Sequence, residues 1–380
     1  MHACRGKLRL PAAGVAAFLA FGVAWGTPRS SSPASASSQA STRWCEAKAS
    51  TLWRKAFNQS VVPLSRTASI VPLAPALDGR TFFASIWTLD FSGVARIDAE
   101  TNEVKRIKAF PNPDTDQAGG SFDGRWLVWR EYHSLSNWDD FTIWAWDSRV
   151  GSLTQIGAAK QQQDGMFWPS NWRNPDVRNG IATWEQGAAD GGVGEVHIFT
   201  LPSGPDRVVR RGHPQGSFFL RSGKVVWPES PKPGARTVFR GVTISGAAFK
   251  LPVALRRIRG VSALVTDGRS MAYPNADFTS LWWSPALSTT PQRVVAAGYG
   301  DNIDNSVQVS GRYILFGIAP RTYLADTVTR RYVQINAGGW GRLNTRALVF
   351  LRPAARKASH AVSDVLLIRV KALPPIPSCK

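Results

Sequence analysis

Apolar and aromatic positions along this chain come in short runs, and each run follows a turn signal. The pairs are Asp78-Gly79 with TFFASIW, Asp123-Gly124 with RWLVWR, Asn179-Gly180 with IATWE, Ser222-Gly223 with KVVW, Asp267-Gly268 with RSMAY and Ser310-Gly311 with RYILF. A weaker copy, Asn344-Thr345 with RALVFL, comes last. Runs this short, rich in β-branched and aromatic residues and bounded by Gly and Asp, predict strands rather than helices. A polar loop and a second run follow each one: VARIDAE, FTIWAWD, EVHIFTL, TVFRGVT, SLWWSPA, RTYLADT and DVLLIRV in order. Most copies add a third, such as EVKRIKAF, LTQIG, DRVVRR, QRVVAA and RRYVQI. The fullest copy occupies residues 121–157.

The turn glycines are separated by 45, 56, 43, 45 and 43 residues, and the last copy begins 33 residues further on. Short strands repeating every ~40–50 residues are the signature of a β-propeller. Seven copies predict an all-β, seven-bladed β-propeller with four-stranded blades over residues 60–380. The last copy has no third strand of its own, so residues 60–66 (SVVPLSR) are expected to supply it. N- and C-terminal strands would then close the ring and remove its open edges. Before this, Leu52, Trp53, Ala56 and Phe57 fall on one face at helical spacing and predict a short helix within residues 44–59.

The repeats resemble those of the TolB-like, WD40-like propeller family. SFDGRWLVW with IWAWDSRVG, and VTDGRSMAY, follow its pattern best, while RSGKVVW and VSGRYILF keep part of it. The resemblance spans roughly residues 78–370 and implies a propeller used as a scaffold, because related chains include binding proteins, accessory domains and a few enzymes. Most copies here lack the proline that usually precedes the turn Asp. A Gly-x-Ser-x-Gly nucleophile elbow is also missing.

Composition adds compartment and charge. Arg5, Lys7 and Arg9 followed by apolar residues 12–26 and Ala34-Ser35-Ala36 read as an export signal over residues 1–36, with a linker at 37–43. Retention of that segment as an anchor is the other reading. The expected location is therefore extracytoplasmic, without a transmembrane segment in the mature chain. Of three cysteines, Cys4 lies in the signal, which leaves Cys45 and Cys379 as expected disulfide partners in an oxidising compartment. The formal charge is +20, with basic clusters at residues 207–213, 255–260 and 329–331. Such a surface suits anionic partners, although a solvated basic face without a dedicated partner fits equally. No nucleic-acid motif is present, no cofactor is expected, and a monomer is expected.

Candidate chemistry lies in the longer loops, all on one face: residues 131–140, 157–172, 185–195, 274–280 and 298–305. His133, Trp138, Asp139, Asp140, Trp168, Trp172, Glu185, Asp277 and Asp301 are the candidate ligand-binding residues. Flat aromatic faces beside carboxylates suit sugar rings. The same Trp residues could instead cover the core, and Asp139 and Asp140 could be turn formers. The expected function is a secreted, non-enzymatic scaffold binding a protein or an anionic, sugar-containing envelope polymer. The alternative is a carbohydrate-active enzyme drawing carboxylates from Glu131, Asp140, Glu185 and Asp277, or a base from His133 and His213. Residues 113–120 and 298–305 offer oxygen ligands without EF-hand spacing.

Overall fold

The strand that follows each turn carries apolar residues on both of its faces because both are covered. Side chains alternate between the faces of a strand. Trp126 and Val128 pack with Val177, Ala182 and Trp184 of the sheet that follows. Leu127 and Trp129 pack with Leu73, Phe83 and Val94 of the sheet that precedes. A sheet sandwiched in this way needs no polar alternation, and the same logic repeats along the chain.

The computed structural model describes residues 43–379, apart from 113–114, 135–137, 163, 169–173, 188–192, 215–217, 221–222, 233–234, 262, 299, 305, 337–340 and 353–362. After β1 (Cys45–Ala47) and helix α1 (Thr51–Gln59), the chain forms seven antiparallel sheets. Sheet 1 is β2 (Ser69–Pro75), β3 (Thr81–Trp87), β4 (Ser92–Asp98) and β5 (Val104–Ala109). Sheet 2 is β6 (Asp116–Phe122), β7 (Trp126–Tyr132), β8 (Phe141–Asp147) and β9 (Leu153–Ala158). Sheet 3 is β10 (Asp176–Arg178), β11 (Ile181–Gln186), β12 (Gly194–Thr200) and β13 (Arg207–Gly212). Sheet 4 has β14 (Phe218–Leu220), β15 (Lys224–Glu229) and β16 (Val238–Thr243), then helix α2 (Val253–Arg257). Sheet 5 is β17 (Val265–Thr266), β18 (Met271–Pro274), β19 (Ser280–Ser284) and β20 (Gln292–Ala296). Sheet 6 is β21 (Gln308–Ser310), β22 (Tyr313–Ile318), β23 (Arg321–Asp326) and β24 (Arg331–Asn336), and sheet 7 is β25 (Gly341–Leu343), β26 (Ala347–Arg352) and β27 (Asp364–Arg369).

The architecture is an all-β propeller with few helices. The first strand of each sheet neighbours the first strand of the next, in the cyclic order β2, β6, β10, β14, β17, β21, β25 and back to β2. Four sheets have the expected four strands, two have three, and sheet 6 has five. The fifth is β1, paired in parallel with β24, so residues 44–59 are a strand followed by a helix rather than a helix alone. Beside β27, Val61 makes an antiparallel bridge to Leu366. Val62 N–H donates to Val365 O at 2.8 Å and Leu367 N–H donates to Ser60 O at 3.0 Å. The pairing stops there because Pro63–Arg66 turns into a 3-10 helix, shorter than the strand expected over 60–66. Cys45 and Cys379 form a disulfide with Cα atoms 6.1 Å apart.

Turn chemistry ties neighbouring sheets together. Asp123 Oδ1 accepts from the N–H groups of Arg125 and Trp126 within its own turn, and Oδ2 accepts from Gly180 N–H of the next sheet at 2.9 Å. Asp267 repeats this with Gly311 at 2.9 Å. Gly180 and Gly311 have φ values of +74° and +56°, a conformation glycine adopts without strain. On the same face Arg80, Arg125 and Arg312 pair with Asp98, Asp147 and Asp326, the residues that end the third strands.

Candidate functional site

The opposite face carries the longer loops, and beneath those of sheets 2 to 4 lies a row of buried carboxylates. Each accepts from a cation on or just after the last strand of the preceding sheet. Lys108 of β5 donates to Glu131 Oε1 of β7 at 2.7 Å, and its ammonium stands 4.7 Å from the Trp144 ring centroid. Lys160, just after β9, donates to Glu195 Oε2 of β12, whose Oε1 accepts from Arg211 at 3.1 Å. Arg210 of β13 grips Glu229 of β15 with Nε and a terminal nitrogen at 2.9 and 2.7 Å, and the Trp227 indole N–H adds a bond at 3.1 Å. Burial alone would push the Glu195 carboxyl up, but Lys160 and Arg211 outweigh it and hold it below the usual glutamate range. Burial likewise opposes ionisation of Glu229, and Arg210 with Trp227 reverses the direction. A buried charge is tolerated only when paired and hydrogen-bonded, so these contacts fix the sheets to one another under the loops.

Next to Glu195, His197 is buried with Nδ1 2.8 Å from Asp206 Oδ1 and Nε2 3.2 Å from Glu195 Oε2. Its ring stacks on Trp184 at 5.1 Å. Gly157 makes room for that indole, since a Cβ there would come within 2.6 Å of it.

Above this base, the turn between β7 and β8 brings three predicted residues together. His133 Nδ1 lies 2.9 Å from Asp140 Oδ1 and its Nε2 lies 3.2 Å from Thr142 Oγ1. The His133 N–H also donates to Asp140 O at 3.1 Å. Trp138 stacks on Tyr132 with centroids 5.6 Å apart and is partly buried against the core of sheets 2 and 3. Asp139 is half-exposed beside it. In the neighbouring connection Trp168 is half-buried, its N–H donating to Lys160 O at 2.8 Å and its carbonyl accepting from Gln186 at 3.3 Å. The Lys160 ammonium stands 5.8 Å from the Trp168 ring centroid, so one lysine links the half-buried Trp168 to the buried Glu195.

The remaining predicted residues fall elsewhere. Glu131 and Glu185 sit inside β7 and β11 and are buried, not on loops, because the strands continue past the last apolar residue. Asp277 and Asp301 are exposed turn formers, Asp277 between β18 and β19 of sheet 5 and Asp301 in the connection from sheet 5 to sheet 6: Thr279 Oγ1 donates to Asp277 at 2.8 Å, and Asp301 N–H donates to Gly298 O at 3.0 Å. They are linked through Ile303 N–H and Phe278 O at 2.7 Å but are not neighbours of the sheet 2 loop. Trp172 and the proposed signal, residues 1–36, lie outside the described residues. Both ring nitrogens of His133 are engaged, by Asp140 and Thr142, while His213 follows β13 of sheet 3. Among the described residues no group of three or more His, Cys, Asp or Glu could hold a metal ion, and no helix is long and apolar enough to cross a membrane.

Sequence reading missed the cations Lys108, Lys160 and Arg210 and the carboxylates Glu195 and Glu229. A signal was present in Trp129-Arg130-Glu131 and Trp227-Pro228-Glu229, the same Trp-x-Glu spacing at the same end of two equivalent strands.

No known protein family and no curated protein matches this sequence. Among solved structures the chain is similar to a prolyl endopeptidase at TM-score 0.54 and 15% identity over 84% of its length, spanning 49% of that protein. The chain therefore covers about half of that relative. It is similar to the β-propeller domain of the Trilobed protease from Pyrococcus furiosus, with TM-score 0.54, 11% identity, 80% of this chain and 93% of that domain. An acylaminoacyl peptidase from Pyrococcus horikoshii gives TM-score 0.51 and 9% identity over 80% of this chain and 52% of that one. These likenesses establish the propeller fold.

Proposed function

We propose that this protein is a secreted, monomeric binding scaffold of the TolB-like type that takes a sugar-containing, anionic polymer of the cell envelope on the loops of sheets 2 and 3. The observation that carries this reading is the His133–Asp140 pair beside the Trp138 face, standing on strands fixed from below by Lys108–Glu131 and Lys160–Glu195. A rigid base with aromatic and polar groups on its loops is the arrangement binding sites use. We count each of the seven sheets as one blade, supported by the cyclic order of their first strands and by the pairing of Ser60–Val62 with β27. Secretion is supported by the Cys45–Cys379 disulfide, which suits an oxidising compartment.

A protein partner on the same loops is the neighbouring reading. One observation favours the enzymatic alternative: His133 held by Asp140 resembles a base oriented by a carboxylate. A polymer-array screen with Trp138→Ala and Trp168→Ala separates these. Binding weakened about tenfold in either variant supports the site, and unchanged binding in both removes it. Product release from a bound polymer that His133→Ala abolishes would establish the enzymatic reading instead.

A further inference from the structure

Sheet 4 departs from the other repeats in a way that creates a second site, away from the rim. Its fourth strand is never built: after β16, the chain makes one antiparallel bridge, Val242 to Ala248, and then leaves the sheet. Pro252 precedes helix α2, whose Ala254 and Leu255, with Ile258 just beyond it, are buried against Val226, Phe239, Met271 and Tyr273 of sheets 4 and 5. Cavities open beside this short helix and the segment that leads into it.

One cavity, of about 340 Å³, is lined by Arg257, Arg259, Tyr273, Asn275, Thr289 and Thr290 among others. The other, of about 490 Å³, is lined by Phe239, Phe249, Arg240, Lys250, Arg256 and Arg259 among others. Both volumes suit a small ligand or one unit of a larger one. Arg259 borders both, and its Nη1 donates to the carbonyls of Arg256 and Ile258, which holds the guanidinium between them. The Phe249 ring is seated over Gly241, where a Cβ would come within 2.7 Å of the ring. Among the described residues no Asp or Glu lines either cavity. Arg240, which lines the larger cavity, stands 3.6 Å from Glu229, a carboxylate already gripped by Arg210. Lys250, Arg256, Arg257 and Arg259 are exposed and pair with no carboxylate among the described residues.

We propose that this cleft binds an acidic oligosaccharide, with a carboxylate-bearing sugar unit in each cavity and Arg259 between them. Guanidinium forks match carboxylates in two-point geometry. The amide and hydroxyls of Asn275, Thr289 and Thr290 suit sugar hydroxyls, and the Phe249 and Phe239 rings offer apolar faces. The site is independent of the rim on sheets 2 and 3.

Calorimetry on the full chain tests it, with a uronic acid tetramer, the neutral tetramer of the parent sugar, inorganic phosphate and a short single-stranded DNA as probes. The acidic tetramer should bind at least about tenfold more tightly than the other three. Arg259→Ala should weaken it about tenfold. Thr290→Trp, which fills one cavity and keeps every charge, should weaken it as well, while Trp138→Ala should not. The inference is overturned if the acidic tetramer does not bind, if neither cleft variant changes its affinity, or if phosphate or DNA binds as tightly, which would mark a non-selective basic face. Loss of binding in Trp138→Ala would place the acidic ligand on the rim and overturn the cleft.

Discussion

At the scale of single residues, the buried glutamates set how this protein responds to acid. Glu229 is held below its ordinary value by Arg210 and Trp227 against the opposing effect of burial. A carboxyl whose folded value is depressed contributes its stabilisation above the ordinary value of about 4.3 and loses it as pH falls through the depressed value. Glu195 has the same sign. Thermal stability should therefore decline as pH is lowered from about 5 toward 3. Glu229→Gln should lower the melting temperature at neutral pH, through a loss of about 1–3 kcal/mol, and make the acid decline shallower. Melting curves of the two proteins across this range provide the check; parallel declines would contradict the role given to Glu229. Trp129 sits fully buried between sheets 1 and 2, so Trp129→Ala should cost about 3–5 kcal/mol, measured by denaturant unfolding.

At the scale of elements, the closure between the chain ends rests on few backbone bonds. Val62 N–H donates to Val365 O, and proline at position 62 would remove that donor. Val62→Pro should lower the midpoint of urea unfolding, whereas Val62→Ile, which keeps the N–H, should leave it nearly unchanged. Equal behaviour of the two variants would mean that the bond contributes nothing to closure. The second and third strands of each repeat were legible in the sequence because sandwiched strands are long and apolar, as in Trp126–Tyr132 and Phe141–Asp147. First strands were not, since β17 has two residues and β6 reads DQAGGSF, with no alternation to detect. Helix α2 was hidden by its length, too short for a helical period to register. Glu131 and Glu185 were placed on loops because charge ordinarily marks a surface; the lysine that makes the burial of Glu131 tolerable, Lys108, lies in another repeat, and a single strand's sequence does not reveal it. His133, Trp138 and Asp140 were legible as a group because one short hairpin loop holds all three.

At the scale of the whole molecule, a ring is only as stable as its seam. The disulfide joins residues 334 positions apart, and β1 adds a fifth strand to sheet 6 from the same N-terminal segment. Chain-entropy arguments put the effect of so long a closure at up to ~5 kcal/mol. Cys45→Ser with Cys379→Ser should lower the melting temperature by at least about 5 °C, and scanning calorimetry with and without reductant should give the same shift for the native protein. The surplus of basic residues, 46 Lys and Arg against 26 Asp and Glu, makes any anionic polymer bind weakly everywhere, so the central claim needs a measurement that separates a built site from general attraction. That measurement is the affinity of Trp138→Ala for the best array polymer, taken against the native protein at rising salt. A loss of about tenfold is expected, and it should persist when salt has screened the general attraction. An affinity equal to that of the native protein at every salt concentration would contradict the central claim.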